Sequence, residues 1–215
     1  MADHASRQGE RYATAEILEY TARVHASHDA GLAQAFAVPE GVPAIMVGPS
    51  EGRLLQLLAR LAGARKAVEV GTLAGYSAIQ LARGMGPQGR LWTVEYDPRH
   101  AALARANLAA AGVAAQVEVL QGRGLDVLPT LQAHAPFDLV FLDADKEGYP
   151  AYAAWALEHL RPGGMLLGDN AFLFGELLAS DGRAQALRAF HELVASRCDS
   201  VCIPTPDGLV LGLKR

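Results

Sequence analysis

The segment Asp138-Leu139-Val140-Phe141-Leu142-Asp143-Ala144-Asp145-Lys146 begins as an almost wholly apolar run and ends in charged side chains. A short apolar run is typical of a strand that is covered on both faces of a parallel sheet. After one helix length, Leu167-Gly168-Asp169-Asn170 again follows an apolar run with oxygen-bearing side chains. If the two strands are neighbours, these oxygens surround one point and Lys146 lies one turn away. The pattern predicts a hard-metal site with a base beside it.

The rest of the chain alternates short β-like runs with helical patterns, which is typical of a doubly wound parallel sheet. The predicted strands are residues 67–70, 91–94, 117–120, 138–142 and 165–167. The predicted helices are residues 77–83, 98–111, 125–133, 149–160 and 181–196. Two further β-like runs, residues 200–203 and 209–213, are separated by a short turn and predict a C-terminal hairpin. The expected fold is a Rossmann-like α/β domain with a mostly parallel seven-stranded sheet and an antiparallel hairpin.

Two helices are predicted before the sheet. Ala13, Ile17, Tyr20 and Val24 recur at helical spacing, and a leucine-rich helix follows with Ser50 as its expected N-cap. We interpret both helices as covers for the sheet. The other interpretation is that the first helix forms a dimer contact or a roof over the active site. The expected division is a helical extension over residues 1–40 and the main domain over residues 41–215.

Composition excludes several classes of protein. The 215 residues carry 19 lysines and arginines against 23 acids, a formal charge of −4, which disfavours nucleic acid as a partner. The two cysteines, Cys198 and Cys202, show no zinc spacing, and the histidines, among them His28, are expected at the surface. The start of the chain resembles no leader and no run is long enough to span a membrane. We therefore expect a reduced, cytoplasmic protein.

A glycine-containing turn after the first strand predicts a nucleotide-like ligand. The turn, Glu69-Val70-Gly71-Thr72-Leu73-Ala74-Gly75-Tyr76-Ser77, leads into a helix whose N-terminal amides are free. Its spacing is not the Gly-x-Gly-x-x-Gly of dinucleotide sites, and acidic Glu69 would repel a pyrophosphate. Glu69 would suit a positively charged amino group, although a carboxylate can also order such a turn through backbone amides.

The ends of the second and third strands carry further candidates. Glu95 can accept the hydroxyl protons of a ribose, and we favour this role over a helix-terminal charge, for which Asp97 is the better candidate. Gly122-Arg123-Gly124 forms a small-residue turn that could line an adenine.

Together these motifs resemble the class I S-adenosylmethionine-dependent O-methyltransferases of the cation-dependent group, which includes the caffeoyl-CoA and catechol O-methyltransferases. The resemblance extends from about Ile45 to the C-terminus. It is strongest at residues 69–77, 141–146 and 169–170, which occur in the family's order. It makes residues 41–215 the methyltransferase domain. The family implies a homodimer that acts on a small vicinal-dihydroxy aromatic compound.

The resemblance also implies a role for each matching residue. The cofactor S-adenosylmethionine would be bound by Val47, Glu69, Gly71, Gly75, Ser77, Glu95, Gly122, Arg123, Gly124, Asp143 and Asp145. A divalent cation, Mg²⁺ or in its place Mn²⁺ or Ca²⁺, would be bound by Asp143, Asp169 and Asn170. Lys146 and Asp143 would be catalytic, with Lys146 next to the acceptor oxygen. Asp145 replaces an aromatic residue of the animal catechol enzymes, which favours the bacterial and plant branch.

Other interpretations stay open. Asp143 and Asp145 could cap the next helix, and Asp169 and Asn170 could form an ordinary turn. A nicotinamide oxidoreductase would share the fold, but the dinucleotide fingerprint is missing. A nucleic-acid methyltransferase would share the cofactor, but the acidic balance opposes it. A non-catalytic cofactor-binding protein is the remaining alternative, and the intact Lys146 and metal carboxylates argue against it.

Overall fold

The computed structural model describes residues 13–215, and its centre is a seven-stranded sheet of order β3-β2-β1-β4-β5-β7-β6. Strands β1 to β5 are parallel, whereas β7 pairs antiparallel with both β5 and β6. The bounds are β1 Lys66–Val70, β2 Arg90–Glu95, β3 Val117–Gln121, β4 Phe137–Leu142, β5 Leu160–Gly168, β6 Cys198–Ile203 and β7 Leu209–Lys214. The predicted fold class, including the C-terminal hairpin, is confirmed.

Eight α-helices surround this sheet within the described residues. They are α1 Ala15–His25, α2 Ala30–Phe36, α3 Pro49–Leu61, α4 Tyr76–Met85, α5 Pro98–Ala110, α6 Gly124–Val127, α7 Tyr149–His159 and α8 Gly182–Arg197. The core on one face of the sheet receives side chains from α2 to α5, and the core on the other face receives them from α7 and α8. This two-sided covering explains why the central strands are mostly apolar.

Strand β4 shows how one strand feeds both cores. Leu139 and Phe141 point into the core beside α3 and α4, whereas Val140 and Leu142 point into the core beside α7 and α8. Successive side chains of a strand alternate between faces, so a strand buried on both sides contains apolar residues at every position. The polar residue that follows Leu142 therefore marks the place where the chain leaves the sheet.

Two local predictions differ from the structure. The helix expected over residues 125–133 is the four-residue α6 followed by a 3₁₀ segment, Leu128–His134, because Pro129 lacks the amide that a continuing helix needs. The leucine-rich helix α3 has Gly48 as its N-cap and starts at Pro49, so Ser50 lies inside the first turn. Proline is favoured at the first helical position, where its missing N–H has no intrahelical partner to lose.

The interpretation of the N-terminal helices is right for α3 and wrong for α1. Helix α3 contributes Leu55 and Ala59 to the core, but α1 buries no residue and leaves Ile17, Tyr20 and Val24 about half exposed. An apolar helix face covers the sheet only if it lies against it, and α1 contacts α3 instead. The other interpretation, a dimer contact or a roof over the site, stays a prediction.

The segment after α1 carries a second correction. His28 is not a free surface residue, because its Nε2 lies 2.8 Å from the Tyr76 hydroxyl and its ring packs against Phe36.

Residues 1–12 of the expected extension lie outside the described residues. Over residues 13–215, no helix combines the length and apolar composition that a membrane span requires.

Candidate active site

The carboxyl ends of β4 and β5 bring Asp143 and Asp169 together. The two strands are paired through Leu142 and Gly168, and each acid is the next residue along its strand. The sheet hydrogen bonding continues past the strand ends, since the Asp143 amide donates to the Val70 carbonyl (2.8 Å) and the Asp169 amide donates to the Leu142 carbonyl (2.9 Å). Both side chains are therefore fixed by backbone bonding at one edge of the sheet.

Asp169 is a buried carboxylate in a negative environment. It is 5% exposed, and its Oδ1 has no hydrogen-bond partner among the described residues. Burial, followed by the charges of Asp143 and Glu51, raises the pKa of Asp169 to about 8. Burial also raises the pKa of Asp143, against the neighbouring charge of Lys146. A group of like charges with an unpaired buried oxygen is stabilised by a cation.

Lys146 is held beside this pair by two contacts. Its Nζ donates to Asp143 Oδ1 (3.3 Å) and to the Tyr149 hydroxyl (2.7 Å). It also lies 4.5 Å from the centre of the Tyr149 ring. An ammonium has three donor positions, so one position remains for an atom outside the protein.

Tyr149 is the residue of this site that the sequence patterns did not reveal. It is fully buried, and its hydroxyl can donate to the carbonyl of Asp169 (2.9 Å) or of Leu142 (3.0 Å). One side chain thus connects Lys146 to the ends of both acidic strands. The available signal was its position three residues after Lys146, which places the two side chains on one face of a helical turn.

The donor set of Asp143, Asp169 and Asn170 suits a hard divalent cation, because Mg²⁺ and Ca²⁺ prefer carboxylate and amide oxygens. Asn170 follows Asp169 with a left-handed backbone, φ +52°, which asparagine tolerates better than most residues. Over residues 13–215, no three His, Cys, Asp or Glu side chains converge as a metal-binding group. The predicted ligands Asp143, Asp169 and Asn170 are not a group of this kind, because the third ligand is an amide side chain.

Gly71 occupies the place where the turn after β1 passes the acidic centre. Its φ is +100°, and a Cβ atom there would overlap with the carbonyl oxygen of Asp143. The glycine is therefore required both by its backbone conformation and by the close approach of the Asp143 backbone.

We expect Gly71→Ala to lower the free energy of unfolding by about 3–5 kcal/mol, because backbone strain and a steric clash add together. Gly41→Ala is the matched control, since Gly41 has a similar φ of +85° but nothing near its Cβ position. The control should lose only about 1–2 kcal/mol. Urea unfolding of both variants measures the difference, and equal losses would show that the clash with Asp143 is relieved at no cost.

Glu69 is fully buried at the end of β1 beneath the turn. Its Oε2 accepts from the Thr93 hydroxyl (2.6 Å), and the Ser77 side chain lies nearby. Its Oε1 has no partner within residues 13–215. Burial, together with the charges of Asp143 and Glu95, raises the pKa of Glu69 to about 8. A buried, unpartnered carboxylate oxygen fits the positively charged amino group that the sequence suggested.

The raised pKa of Glu69 makes stability fall as pH rises. Between its ordinary value of 4.5 and its folded value of about 8, the folded protein retains a proton that the unfolded chain has released. The free energy of unfolding should therefore decrease by up to about 1.4 kcal/mol per pH unit for this group. Urea unfolding of cation-free protein from pH 5 to pH 8 measures the slope. Glu69→Gln should make the slope shallower and leave the part that Asp169 contributes through its own raised pKa. Exposed Glu158→Gln should leave the slope unchanged, and an equally steep slope in Glu69→Gln contradicts the assignment.

Glu95 orders the glycine turn. The sequence suggested that a carboxylate could have this role but did not assign it to Glu95. Its Oε2 accepts from the amides of Thr72 (3.2 Å) and Leu73 (2.8 Å), and its Oε1 accepts from the amide of Asp97 (2.9 Å). A carboxylate has about four acceptor positions, so these amides leave little capacity for ribose hydroxyls. The expected ribose contact remains a prediction.

The remaining cofactor candidates are Val47, Gly75, Gly122, Arg123 and Gly124. Val47 is buried beside α3. Gly75 is the N-cap of α4 and has a φ of +81°. At Gly122 there is no room for a side chain, because a Cβ atom would clash with Val127. Arg123 is exposed at the start of α6, and Gly124 packs against Tyr152. Gly75 and residues 122–124 thus follow the carboxyl ends of β1 and β3, whereas Val47 lies in the core, and the contacts of all five residues with a cofactor remain predictions.

Asp145 performs a capping role in this structure. Its carboxylate accepts from the Tyr152 hydroxyl (2.6 Å) and from the Gly148 amide (3.0 Å), and it caps the 3₁₀ turn Lys146–Gly148. Both oxygens are therefore engaged with the protein. The capping interpretation is accurate for Asp145, whereas Asp143 faces Lys146.

A doubly wound sheet with an antiparallel last strand, a glycine turn after β1 and acids at the carboxyl edge defines a Rossmann-like methyltransferase fold. A sequence model of the O-methyltransferase family matches residues 29–215. The chain therefore belongs to the O-methyltransferase family, as its motifs indicated.

Several known proteins are similar to the chain. A catechol O-methyltransferase of Niastella koreensis is 43% identical over 86% of this chain and 90% of its own length. A catechol O-methyltransferase of Mycobacterium tuberculosis is 50% identical over 77% of this chain and 76% of its own length. The solved O-methyltransferase of Bacillus cereus, in complex with SAH, has a TM-score of 0.87 at 38% identity and covers 92% of this chain and 96% of its own.

Proposed function

We propose that the protein transfers a methyl group from S-adenosylmethionine to one hydroxyl of a small vicinal-dihydroxy aromatic compound, with the help of a divalent cation. The observation that carries the proposal is the acidic centre at the ends of β4 and β5. There an unpaired, buried Asp169 oxygen lies beside Asp143, and Lys146 is held next to both.

The cofactor proposal rests on the edge of the sheet around Glu69. The free Oε1 of Glu69 is an acceptor for the amino group of the methionine part, and Ser77 lies beside it for the carboxylate. Gly71 lets the turn after β1 pass close to the Asp143 backbone, which places this turn beside the acidic centre. The solved Bacillus cereus relative, which was crystallised with SAH, supports this choice of cofactor.

For the cation we propose Mg²⁺, with Mn²⁺ or Ca²⁺ as substitutes, held by Asp143, Asp169 and Asn170. When bound, a divalent cation lowers the pKa of the acceptor hydroxyl and orients the neighbouring one. Within the described residues, Lys146 is the cation in direct contact with this carboxylate pair. Two carboxylates and one lysine leave net negative charge, which a bound cation would offset.

Lys146 is proposed as the group that receives the acceptor's proton. In its neutral amine form, Lys146 would donate its two N–H groups to Asp143 and Tyr149, which leaves its lone pair free to take the proton as the acceptor O–H bond breaks. A base that is fixed in this way can lie within hydrogen-bonding distance of the acceptor hydroxyl while the methyl group is transferred in line. Asp143 contributes by holding Lys146 in addition to its proposed role as a metal ligand.

The aromatic acceptor is proposed from the relatives named catechol O-methyltransferases and from the loop after Asn170. Phe174 in this loop is 73% exposed with φ +53°, and its amide donates to Asp207 Oδ1 (2.8 Å). An exposed aromatic side chain in the loop that follows Asn170 can pack against an aromatic guest.

Methyl transfer to a panel of catechols, including caffeic acid and caffeoyl-CoA, tests the proposal. Each acceptor is assayed with S-adenosylmethionine and Mg²⁺, and again with a chelator. Methylation that disappears with the chelator supports both the reaction and the cation. Methylation that survives the chelator overturns the cation requirement, and cofactor binding without turnover on any catechol overturns the acceptor class.

A further inference from the structure

Glu51 is a buried acidic residue that none of the roles above uses. It is 8% exposed and is the third residue of α3, which begins at Pro49. A glutamate at this position commonly accepts from the amide of the N-cap residue, here Gly48. Over residues 13–215, its side chain instead accepts from the hydroxyl of Thr205, at 3.3 Å. Its burial therefore needs an explanation other than helix capping.

The explanation lies in what surrounds Glu51. Its carboxylate lies near that of Asp169, close enough to Asp143 and Asp207 for their charges to act on it. Thr205 belongs to the turn between β6 and β7, which is tied to the loop after Asn170 by the bond from the Phe174 amide to Asp207. Glu51 thus connects α3, the hairpin turn and the acidic centre.

The balance of charge points to a cation. Glu51, Asp143 and Asp169 are three carboxylates, and Lys146 is the only cationic side chain in contact with any of them among the described residues. Repulsion within such a group is costly in a buried site. The unpartnered, buried Oδ1 of Asp169 is an independent sign that this group awaits a ligand.

We propose that Glu51 strengthens cation binding at the acidic centre by supplying negative charge from just outside the ligands Asp143, Asp169 and Asn170. This inference rests on the proposed cation dependence. Glu51 acts as a positioning residue and not as a ligand, because no three acidic side chains converge as a metal-binding group over residues 13–215. The Thr205 hydroxyl holds Glu51 in place.

The variant Glu51→Gln removes the charge and keeps an oxygen that can accept from Thr205. Calorimetric titration of the cofactor-free protein with Mg²⁺, and separately with Mn²⁺, gives the dissociation constant. We expect it to rise by about 10- to 100-fold in Glu51→Gln, which is typical when a group next to the ligands is changed. Glu158→Gln is the matched control, because Glu158 is exposed on α7, and it should bind as the parent does.

Thermal unfolding supplies a readout that does not depend on activity. The Tm values of the parent and of Glu51→Gln are first measured without cation, which gives the reference value for each protein. At one fixed Mg²⁺ concentration, the increase in Tm that Mg²⁺ causes should be smaller for Glu51→Gln than for the parent. If Glu51 were merely structural, Glu51→Gln would have a lower Tm than the parent both with and without Mg²⁺, and its gain in Tm on adding Mg²⁺ would equal the parent's. Thr205→Val should weaken cation binding by a smaller factor, since it frees Glu51 without removing the charge.

Two outcomes would overturn the inference, and they differ in what they say about the proposed function. If the parent and Glu51→Gln bind Mg²⁺ equally well while Asp169→Asn does not, Glu51 plays no part and the cation site stands. If the parent binds neither Mg²⁺ nor Mn²⁺ and methylates catechols in the presence of a chelator, the cation requirement itself fails and Glu51 fails with it.

Discussion

Asp169→Asn is expected to lower kcat/KM for a catechol by about a thousand-fold, because the loss of a cation ligand removes several kcal/mol of stabilisation at the acceptor oxygen. The same change should make the cation-free protein more stable at pH 8. It removes a buried carboxylate whose pKa is raised to about 8 by burial and by neighbouring acids. A loss of activity together with a gain in stability distinguishes a functional acid from a structural one.

Initial rates over a range of Mg²⁺ concentrations, with urea unfolding of the same preparations, measure both effects. Asp126→Asn is the control, since Asp126 is exposed in the short helix α6 and should change neither quantity. Parent-like, chelator-sensitive activity in Asp169→Asn would remove Asp169 from the proposed ligands. Lost activity with lowered stability would mean that the substitution damages the fold.

Lys146→Met is expected to lower kcat by about 10²- to 10⁴-fold, the usual contribution of a positioned acid or base. Methionine retains most of the apolar length of the side chain, so packing against the Tyr149 ring changes little. The affinity for S-adenosylmethionine should stay close to that of the parent, because Lys146 contacts Asp143 and Tyr149 and not the turn after β1.

Single-turnover methylation and equilibrium binding of the cofactor separate these two quantities. Lys66→Met serves as the control, because Lys66 begins β1 at the opposite edge of the sheet and its ammonium donates to the carbonyl of His134, far from the acidic centre. A parent-like kcat in Lys146→Met would exclude Lys146 as the proton acceptor. Equal loss of cofactor affinity and rate would show that Lys146 shapes the binding site.

The sheet could be predicted from sequence because its signals are local. Leu139 to Leu142 form an apolar run in any context, and Asp143 marks where that run ends. Neighbouring parallel strands place their ends at one edge, so the proximity of Asp143 and Asp169 also followed from the pattern. The packing of α1 could not be predicted in this way, because an apolar helix face does not indicate which surface it packs against.

The hydrogen-bond partners of the buried polar groups could not be predicted. Glu51 and Thr205 are 154 positions apart, and no periodic pattern connects them. The bonding of Glu95 to the turn after β1 likewise depends on how two loops are folded over the sheet. The sequence pattern indicates only that Tyr149 lies in a helix. Its hydroxyl can bond the carbonyls of Leu142 and Asp169 only because β4 and β5 are neighbours in the folded sheet.

The position of β7 affects the order in which the protein can mature on the ribosome. Strand β5, which carries Asp169 at its end, is flanked by β4 on one side and by β7 on the other. A nascent chain that has released β5 but not Leu209–Lys214 has an open sheet edge at this point, and open edges attract other strands. The interval between the synthesis of β5 and of β7 is therefore a stage at which this edge is open to pairing with another newly made chain.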